Sequence, residues 1–528
     1  MYLVTGAQMR ESDRKATEMG ISALVLMESA GRALAAEAGG FLKSAPSKRT
    51  ASAPLALVLA GPGQNGGDGF CAARHLSSMG YPVFVLFFGE EGRLPAEARA
   101  NYEALRGYPV DVRQCAGSGP VDCAGFVGEA GVVIDCLLGT GQSGGPRPPI
   151  DAVVRLVNDL HRRGIPVVAC DVPTGLDSDT GRLYEPHVSA DVTVTMGLPK
   201  IGLYSYPGRA HAGRIVVDAL GLPPGLLEVP RSAKAIFMED AGAVMPRREA
   251  DHHKGLSGHV TVIAGSMGMA GAAVLASKAA LRAGAGTVTL LCPGDVYEVC
   301  ASVAPEVMVL PCVPGPYMVS TPETLETVAG FSRRSSCVAV GPGLGRGDGQ
   351  DRFMADLIPL MVAAGAPCLI DADGLYSLSR LGGLSYLAGH EGKFILTPHP
   401  GELSGLAGVS TREIGMDRPG FAVRAALDSK SVVCLKGAGT CVANTSGDLR
   451  INTSGDPAMA TAGAGDVLSG VIAALVSQGL SPFDASWLGV FWHGIAGEFA
   501  RCRLGSAGLL AGDLCDSLPE ARHAIEGR

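Results

Sequence analysis

The stretch "NTSGDPAMATAGAGDVLSG" (452–470) sets Asp466 directly after Gly-Ala-Gly, where an apolar run begins. A glycine-rich turn opening a helix offers backbone N–H groups that hold a phosphate. Such a cradle needs no acid, and a carboxylate beside a bound anion is costly unless it has chemistry to perform. Phosphoryl transfer to an alcohol gives it some, because the donor phosphates must be neutralised while a carboxylate accepts the hydroxyl proton. N–H groups at 463–466, Gly465 among them, would stabilise the developing anion, with Asp466 facing the same point. "CLKGAGT" adds Lys436, Gly437, Ala438, Gly439 and Thr440, residue types that let a nucleotide phosphate approach the backbone. "LTPHPGEL" fixes His399 between two prolines, as a candidate to face the same crevice. Taken alone, the first could equally be a strand-to-hairpin turn and the second a structural histidine.

The first half carries a different set. In "GPGQNGGDG", Gly61, Gly63 and Gly66 satisfy G-x-G-x-x-G, and Glu90 and Glu91 follow the next strand-like run. That is a weak dinucleotide signal by itself. "DCLLGTGQSGGP" (135–146) and "DVPTGLDSDTG" (171–181) each begin with an aspartate just past a predicted strand. In doubly wound sheets, ligands bind outside the carboxyl ends of strands, so three such loops would meet at one crevice. Asn65, Asp135 and Thr174 offer the oxygen ligands that hard cations prefer, and Asp171 remains as a candidate acid or base. The ordinary alternative for either aspartate is a helix N-cap.

Strand-length apolar runs alternate with helix-length periodic segments throughout, which predicts α/β layering with parallel strands. Strands are expected at 55–60, 82–88, 131–136, 165–170 and 191–196, and helices around 9–39, 69–79, 94–106 and 149–163. The alternation restarts at 259–264, 287–291, 337–341, 368–372, 394–398 and 431–437. A proline-rich stretch within 221–258 puts a boundary near 225, giving domains 1–225 and 226–528 with no internal repeat. At 528 residues the chain exceeds what one core usually supports. Its 47% apolar and 18% charged composition suits a well-buried enzyme, and a net charge of −8 without a basic block argues against nucleic acid and anionic membranes. No apolar run approaches the roughly 20 residues needed to span a bilayer, and no leader is expected. Fourteen scattered cysteines without a C-x-x-C pair predict reduced thiols and a cytoplasmic protein.

"GPGQNGGDG", "DCLLGTG", "DVPTGLDSDTG" and "ADVTVTMGLPKIGLYSYPG" occur in the order of the NAD(P)H-hydrate epimerase family, which residues 1–220 resemble. The resemblance implies a Rossmann-like doubly wound domain that binds K⁺ through Asn65, Asp135 and Thr174 and inverts the hydrated carbon of damaged NADH or NADPH (NADHX, NADPHX). It implies substrate contacts from Gln64, Asn65, Gly66, Gly67 and Asp68, from Gly139, Thr140, Gly141, Gln142, Ser143, Gly144 and Gly145, and from Asp171. Gln64 stands where Asn is expected, and Met196 where Phe is expected.

"HKGLSGHVTVIAGS", "VGPGLG", "TPHPGE" and the 452–470 block resemble the ADP- or ATP-dependent NAD(P)H-hydrate dehydratases, of the ribokinase-like superfamily, over residues 235–525. The resemblance implies Asp466 as catalytic base, Ala272, Gly343 and His399 lining the hydrate site, and residues 436–440 with Gly465 holding ADP or ATP with Mg²⁺. Asp456 replaces the usual Asn of "GNP". The two halves together imply a bifunctional repair enzyme in which one activity supplies the epimer the other consumes. A small-molecule hydroxyl kinase with a fused dinucleotide domain, and a non-catalytic nucleotide sensor, are the alternatives. Donor choice and oligomeric state stay open.

Overall fold

The computed structural model describes residues 1–44, 54–115, 130–142, 144–229, 233–390 and 393–527, so Ser143 lies outside the described residues. After β1 (Tyr2–Leu3), helix Gly6–Glu18 starts at a capping box in which Thr5 and Gln8 satisfy each other's backbone N–H. A second helix, Ala23–Ser44, follows it, so the single helical segment expected over 9–39 is two helices, broken at Met19–Ser22. Then come β2 (Leu55–Ala60), β3 (Val83–Phe87), β4 (Val110–Gln114), β5 (Ala130–Cys136), β6 (Val167–Cys170), β7 (Val192–Met196) and β8 (Arg214–Asp218). These form a seven-stranded parallel sheet ordered β4-β3-β2-β5-β6-β7-β8.

Strand β2 shows why the sheet is buried on both sides. Ala56, Val58 and Ala60 pack into one core with helices Ala23–Ser44 and Gln64–Ser78, while Leu57 and Leu59 face another. The second core is closed by helix Ile150–Arg162, whose Ile150, Val153, Val154, Val157 and Leu160 form one buried face. Such two-sided burial turns a parallel strand into an unbroken apolar run. Chain order reverses between β2 and β5, which makes their carboxyl ends the switch point where a ligand crevice opens.

The chain divides into two compact units, Tyr2–Ala233 and Lys234–Arg528. The second contains β9 (Ala233–Ile236), β10 (His259–Ile263), β11 (Thr287–Pro293), β12 (Met308–Val313), β13 (Cys337–Val340), β14 (Cys368–Ile370), β15 (Phe394–Leu396), β16 (Val432–Leu435), β17 (Cys441–Ala443) and β18 (Leu449–Asn452). Its sheet runs β9-β18-β17-β16-β15-β14-β13-β10-β11-β12, with β17 antiparallel to both neighbours. The switch point lies between β13 and β10. Helix Ala464–Ser477 is apolar nearly all round because it is buried between the sheet and helices Ala270–Arg282 and Pro482–Leu504. Trp492 of that last helix is wholly buried and donates to the Leu518 carbonyl at 2.8 Å. Among the described residues no helix is long and apolar enough to cross a membrane.

Candidate active sites in the two units

In the first unit, the loops after β2 and β5 are forced together. A side-chain carbon on Gly61 would lie 1.8 Å from the Leu137 carbonyl oxygen, so only glycine admits this approach. Asn65, in the first turn of helix Gln64–Ser78, donates from Nδ2 to the carbonyls of Leu138 at 3.1 Å and Cys170 at 3.0 Å. The loop after β6 joins them, since Gln142 Oε1 accepts from Gly175 N at 3.1 Å. Gly66 and Gly67 are buried in the same first helical turn, and Gly139 abuts the Asn65 side chain. Gln64 reaches outward to Glu97 at 3.5 Å.

Asp135 is inside β5 rather than past its end, and it is fully buried. Its Oδ1 accepts from Leu137 N at 3.2 Å and Thr174 Oγ1 at 2.8 Å, its Oδ2 from Thr174 N at 2.8 Å. Burial raises its pKa while these neutral donors oppose the rise. Among the described residues no lysine or arginine pairs with it. A buried carboxylate with only neutral donors, beside an amide and a hydroxyl, matches the chemistry of a hard monovalent cation site.

Asp171 follows β6 with φ 63°, a left-handed conformation rare for a residue with a side chain, and it caps no helix. Its Oδ1 accepts from Thr195 Oγ1 at 3.2 Å, Met196 N at 3.1 Å and Lys200 Nζ. Lys200 is wholly buried. Met196, at the position where Phe was expected, thus meets Asp171 through its backbone, which any residue type provides.

In the second unit, parallel strands deliver the polar groups at their carboxyl ends. Asp371 follows β14, Glu402 begins helix Pro400–Ala407 after β15, and Lys436 follows β16. Lys436 Nζ lies 2.7 Å from Asp371 Oδ1 and 3.7 Å from Glu402 Oε2, and Ser469 Oγ donates to Asp371 Oδ2 at 2.6 Å. Burial works to lower the Lys436 pKa, and Asp371 and Glu402 overcome it, so the ammonium is held above its ordinary range. Burial raises Glu402, with Lys436 opposing.

Asp466 sits in the first turn of helix Ala464–Ser477. Burial, and then the negative charge of Asp371, push its carboxyl up to about 7, against the pull of Lys436. A carboxylate poised there is a competent base near neutral pH. A carbon on Gly465 would come within 3.4 Å of Lys436 Nζ, which places this helix start over the ammonium. His493, from helix Pro482–Leu504, shares a hydrogen bond with the Ala464 backbone, and burial holds it neutral with a pKa of about 4.

Gly343 has φ 59°, and a carbon on it would lie 2.6 Å from the Met269 carbonyl oxygen and 3.1 Å from Ala272 Cβ. Gly343 and Ala272 therefore line one spot at the β10/β13 switch point. His399 is different. Its ring is exposed and its Nδ1 accepts from Glu402 N at 3.1 Å, a helix cap that leaves the other ring nitrogen 3.5 Å from Glu402 Oε1. Gly437 and Gly439 are both in left-handed conformations, and Thr440 Oγ1 donates to the Gly437 carbonyl at 2.8 Å, folding the 436–440 turn back on itself. Asp456 accepts from Ala458 N at 2.9 Å and pairs with Arg501 at 3.1 Å, so its added charge is compensated locally.

Residues 23–202 match the family described as YjeF-related protein N-terminus, and residues 260–520 match NAD(P)H-hydrate dehydratase. A bifunctional NAD(P)H-hydrate repair enzyme from Moorella thermoacetica is 36% identical over 530 residues, covering 100% of this chain and 97% of its own. One from Thermofilum pendens is 36% identical over 528 residues, with 99% and 97% covered. The chain belongs to the bifunctional NAD(P)H-hydrate repair enzymes. An ADP/ATP-dependent NAD(P)H-hydrate dehydratase from Bacillus subtilis, co-crystallised with ATP and Mg²⁺, is 29% identical with a TM-score of 0.49, and covers 56% of this chain and 99% of its own.

In this repair enzyme several polar groups were not singled out by spacing: Asp371, Glu402, Ser469 and His493 around Asp466, and Lys200 and Thr195 around Asp171. Asp371 heads "DADG" directly after an apolar strand, which is the one local signal that pointed to it.

Proposed function

We propose that the first unit interconverts the R and S forms of NADHX and NADPHX, and that the second dehydrates the S form to NADH or NADPH at the expense of ADP or ATP. The observation that carries this reading is Asp466, a carboxyl raised to about 7 in the opening turn of a buried helix, over an ammonium already held by Asp371 and Glu402. Hydroxide is a poor leaving group and phosphate a good one. Asp466 accepts the proton of the C6 hydroxyl as its oxygen takes the phosphoryl group, whose charge the helix N–H groups and Lys436 stabilise. The C6–O bond then breaks as the ring nitrogen lone pair forms C=N⁺. Loss of the C5 proton restores the dihydropyridine, with inorganic phosphate and a nucleotide one phosphate shorter as co-products.

Residues 436–440 and Gly465 hold the nucleotide, and Gly343, Ala272 and His399 face the hydrate. Asp371, Glu402 and Asp466 outnumber Lys436 in charge, which fits a divalent cation arriving with the nucleotide, and Asp371 and Glu402 are the residues to hold Mg²⁺. In the first unit Asn65, Asp135 and Thr174 hold K⁺, which supplies the countercharge that buried Asp135 lacks. The 64–68 and 139–145 loops and Asp171 contact the hydrated ring. The thirteen cysteines described are all free thiols, in keeping with a cytoplasmic protein.

The test is absorbance at 340 nm from mixed-epimer NADHX with Mg²⁺, ADP or ATP, and either K⁺ or Na⁺. Complete regeneration of NADH is expected in K⁺. In Na⁺, fast conversion should stop once the S form is consumed. No NADH with either nucleotide would refute the repair reading.

A further inference from the structure

Asp68 is left with an unexplained environment. It lies in the helix Gln64–Ser78 with 9% of its surface exposed, and the Cys170 thiol sits 3.6 Å from its Oδ2. Cys170 is directly followed by Asp171, so the two carboxylates flank one short piece of backbone. Their surroundings differ in kind. Asp171 Oδ1 collects three donors, including the Lys200 ammonium, and no donor among the described residues is bonded to its Oδ2. Lys200 gives its remaining hydrogens to the Met196 carbonyl at 2.9 Å and Thr195 Oγ1 at 3.3 Å, so none is free for Asp68. The left-handed backbone at Asp171 is the kind of strain retained where a side chain must be aimed.

Around Asp68 stand the charges of Asp171 and Asp13, the Lys200 ammonium and the Cys170 thiol. Burial, with Asp171 next, pushes its carboxyl well above the ordinary range; burial raises Asp13, and the contact with Cys136, then burial, raises Cys170. Two neighbouring carboxyls in such different surroundings, one beside a thiol and the other collecting three donors, are the arrangement from which acid and base roles are assigned.

We propose that Asp68 is the general acid and Asp171 the general base of epimerisation at C6, an inference that rests on the epimerase reading above. Asp68 gives its proton to the C6 hydroxyl, which leaves as water while the ring nitrogen lone pair forms C=N⁺. A second water adds to the opposite face of C6 and loses its proton to Asp171 Oδ2. Atoms and charge balance: one water leaves, one enters, and the proton has moved from Asp68 to Asp171. The resulting form is the one that runs the reverse reaction, and exchange with water resets the pair. Lys200 is a positioning residue that holds Asp171 through Oδ1 and leaves Oδ2 for the ring.

The experiment uses the full chain with R-NADHX and K⁺, following epimer ratio by chromatography in H₂¹⁸O. Wild type is expected to place ¹⁸O at C6 of the S product above the enzyme-free control. Asp68→Asn is expected to lower kcat at least about 100-fold with KM within about threefold, while its ADP-dependent conversion of S-NADHX stays at the wild-type rate, which shows the chain folded. Retention of ¹⁶O by wild type, turnover of Asp68→Asn within about fivefold, or a loss carried by KM alone would overturn the assignment. If wild type interconverts no epimers at all, the epimerase reading falls and this proposal with it.

Discussion

Replacing Asp466 by Asn should abolish dehydration and at the same time stabilise the protein at alkaline pH. Its carboxyl moves from 3.8 to about 7 on folding. At about 1.4 kcal/mol per unit, holding the ionised form in the folded protein costs about 4 kcal/mol. The sign follows from proton linkage: a group with a raised folded pKa binds its proton more tightly in the native state. Its favourable contribution is complete below the unfolded pKa near 4 and is lost as pH climbs through about 7. Of the total, about 2 kcal/mol falls between pH 5.5 and pH 8. Thermal melting of wild type and Asp466→Asn across that interval reads this directly. The variant should gain about 2 kcal/mol on wild type between the two ends, on the order of 5 °C in Tm. In parallel, wild-type kcat/KM for S-NADHX should fall tenfold per pH unit below about 7, because the base must be ionised, and the variant should lose at least about 1,000-fold in rate. A variant with unchanged melting slope, or a wild-type acid limb near pH 4, would refute the burial argument. Residual activity within tenfold of wild type would remove Asp466 as the base.

Lys436→Met should leave Asp371, 1% exposed, without its ammonium, and lower stability by about 3 kcal/mol. Nucleotide affinity by calorimetry should fall at least about tenfold, and an unchanged affinity would take Lys436 out of the phosphate site. Gly343→Ala must accommodate a carbon 2.6 Å from the Met269 carbonyl at a left-handed φ, a strain of about 1–3 kcal/mol. The expected outcome is a raised KM for the hydrate in dehydration with epimerisation unchanged, and an unaltered KM would refute contact at Gly343.

What could be read from the chain follows how each element is buried. Strands β2, β3, β5, β6 and β7, and β10, β11 and β13 to β16, are covered on both faces and stand out as apolar runs. The strands missed include β4, β8 and β12, which sit at sheet edges and carry solvent-facing residues such as Arg113, Arg214 and Met308. Asp135 closes the expected strand 131–136 and also heads the block 135–146 read as a loop; it stays inside β5, where Thr174 and Leu137 satisfy the carboxylate. The glycine loops were visible as loops since turns are local. The partners that set charge were not: Ser469 reaches Asp371 across 98 positions, Lys436 across 65, and Lys200 reaches Asp171 across 29. No spacing rule reaches that far, and the pKa of Asp466 depends on such pairs.

Both proposed reactions break the same C6–O bond with the same push from the ring nitrogen, and what differs is the group first placed on the departing oxygen. A proton makes the departing group water, which can return from either face, so a site holding an acid, a base and solvent randomises the carbon. Phosphoryl makes it phosphate, and the cation then has only its C5 proton to lose. The first unit therefore needs one carboxyl to give a proton and another to take one, the roles proposed for Asp68 and Asp171. The second needs an anion cradle and one carboxyl kept near neutrality, as the opening turn of helix Ala464–Ser477 supplies. If the C6 cation is common to both, a substrate analogue with a flat, positively charged ring should inhibit the two activities alike. A tetrahedral phosphate-ester analogue should inhibit dehydration alone, and equal inhibition of epimerisation by the ester would break the link between the leaving group and the fate of the bond.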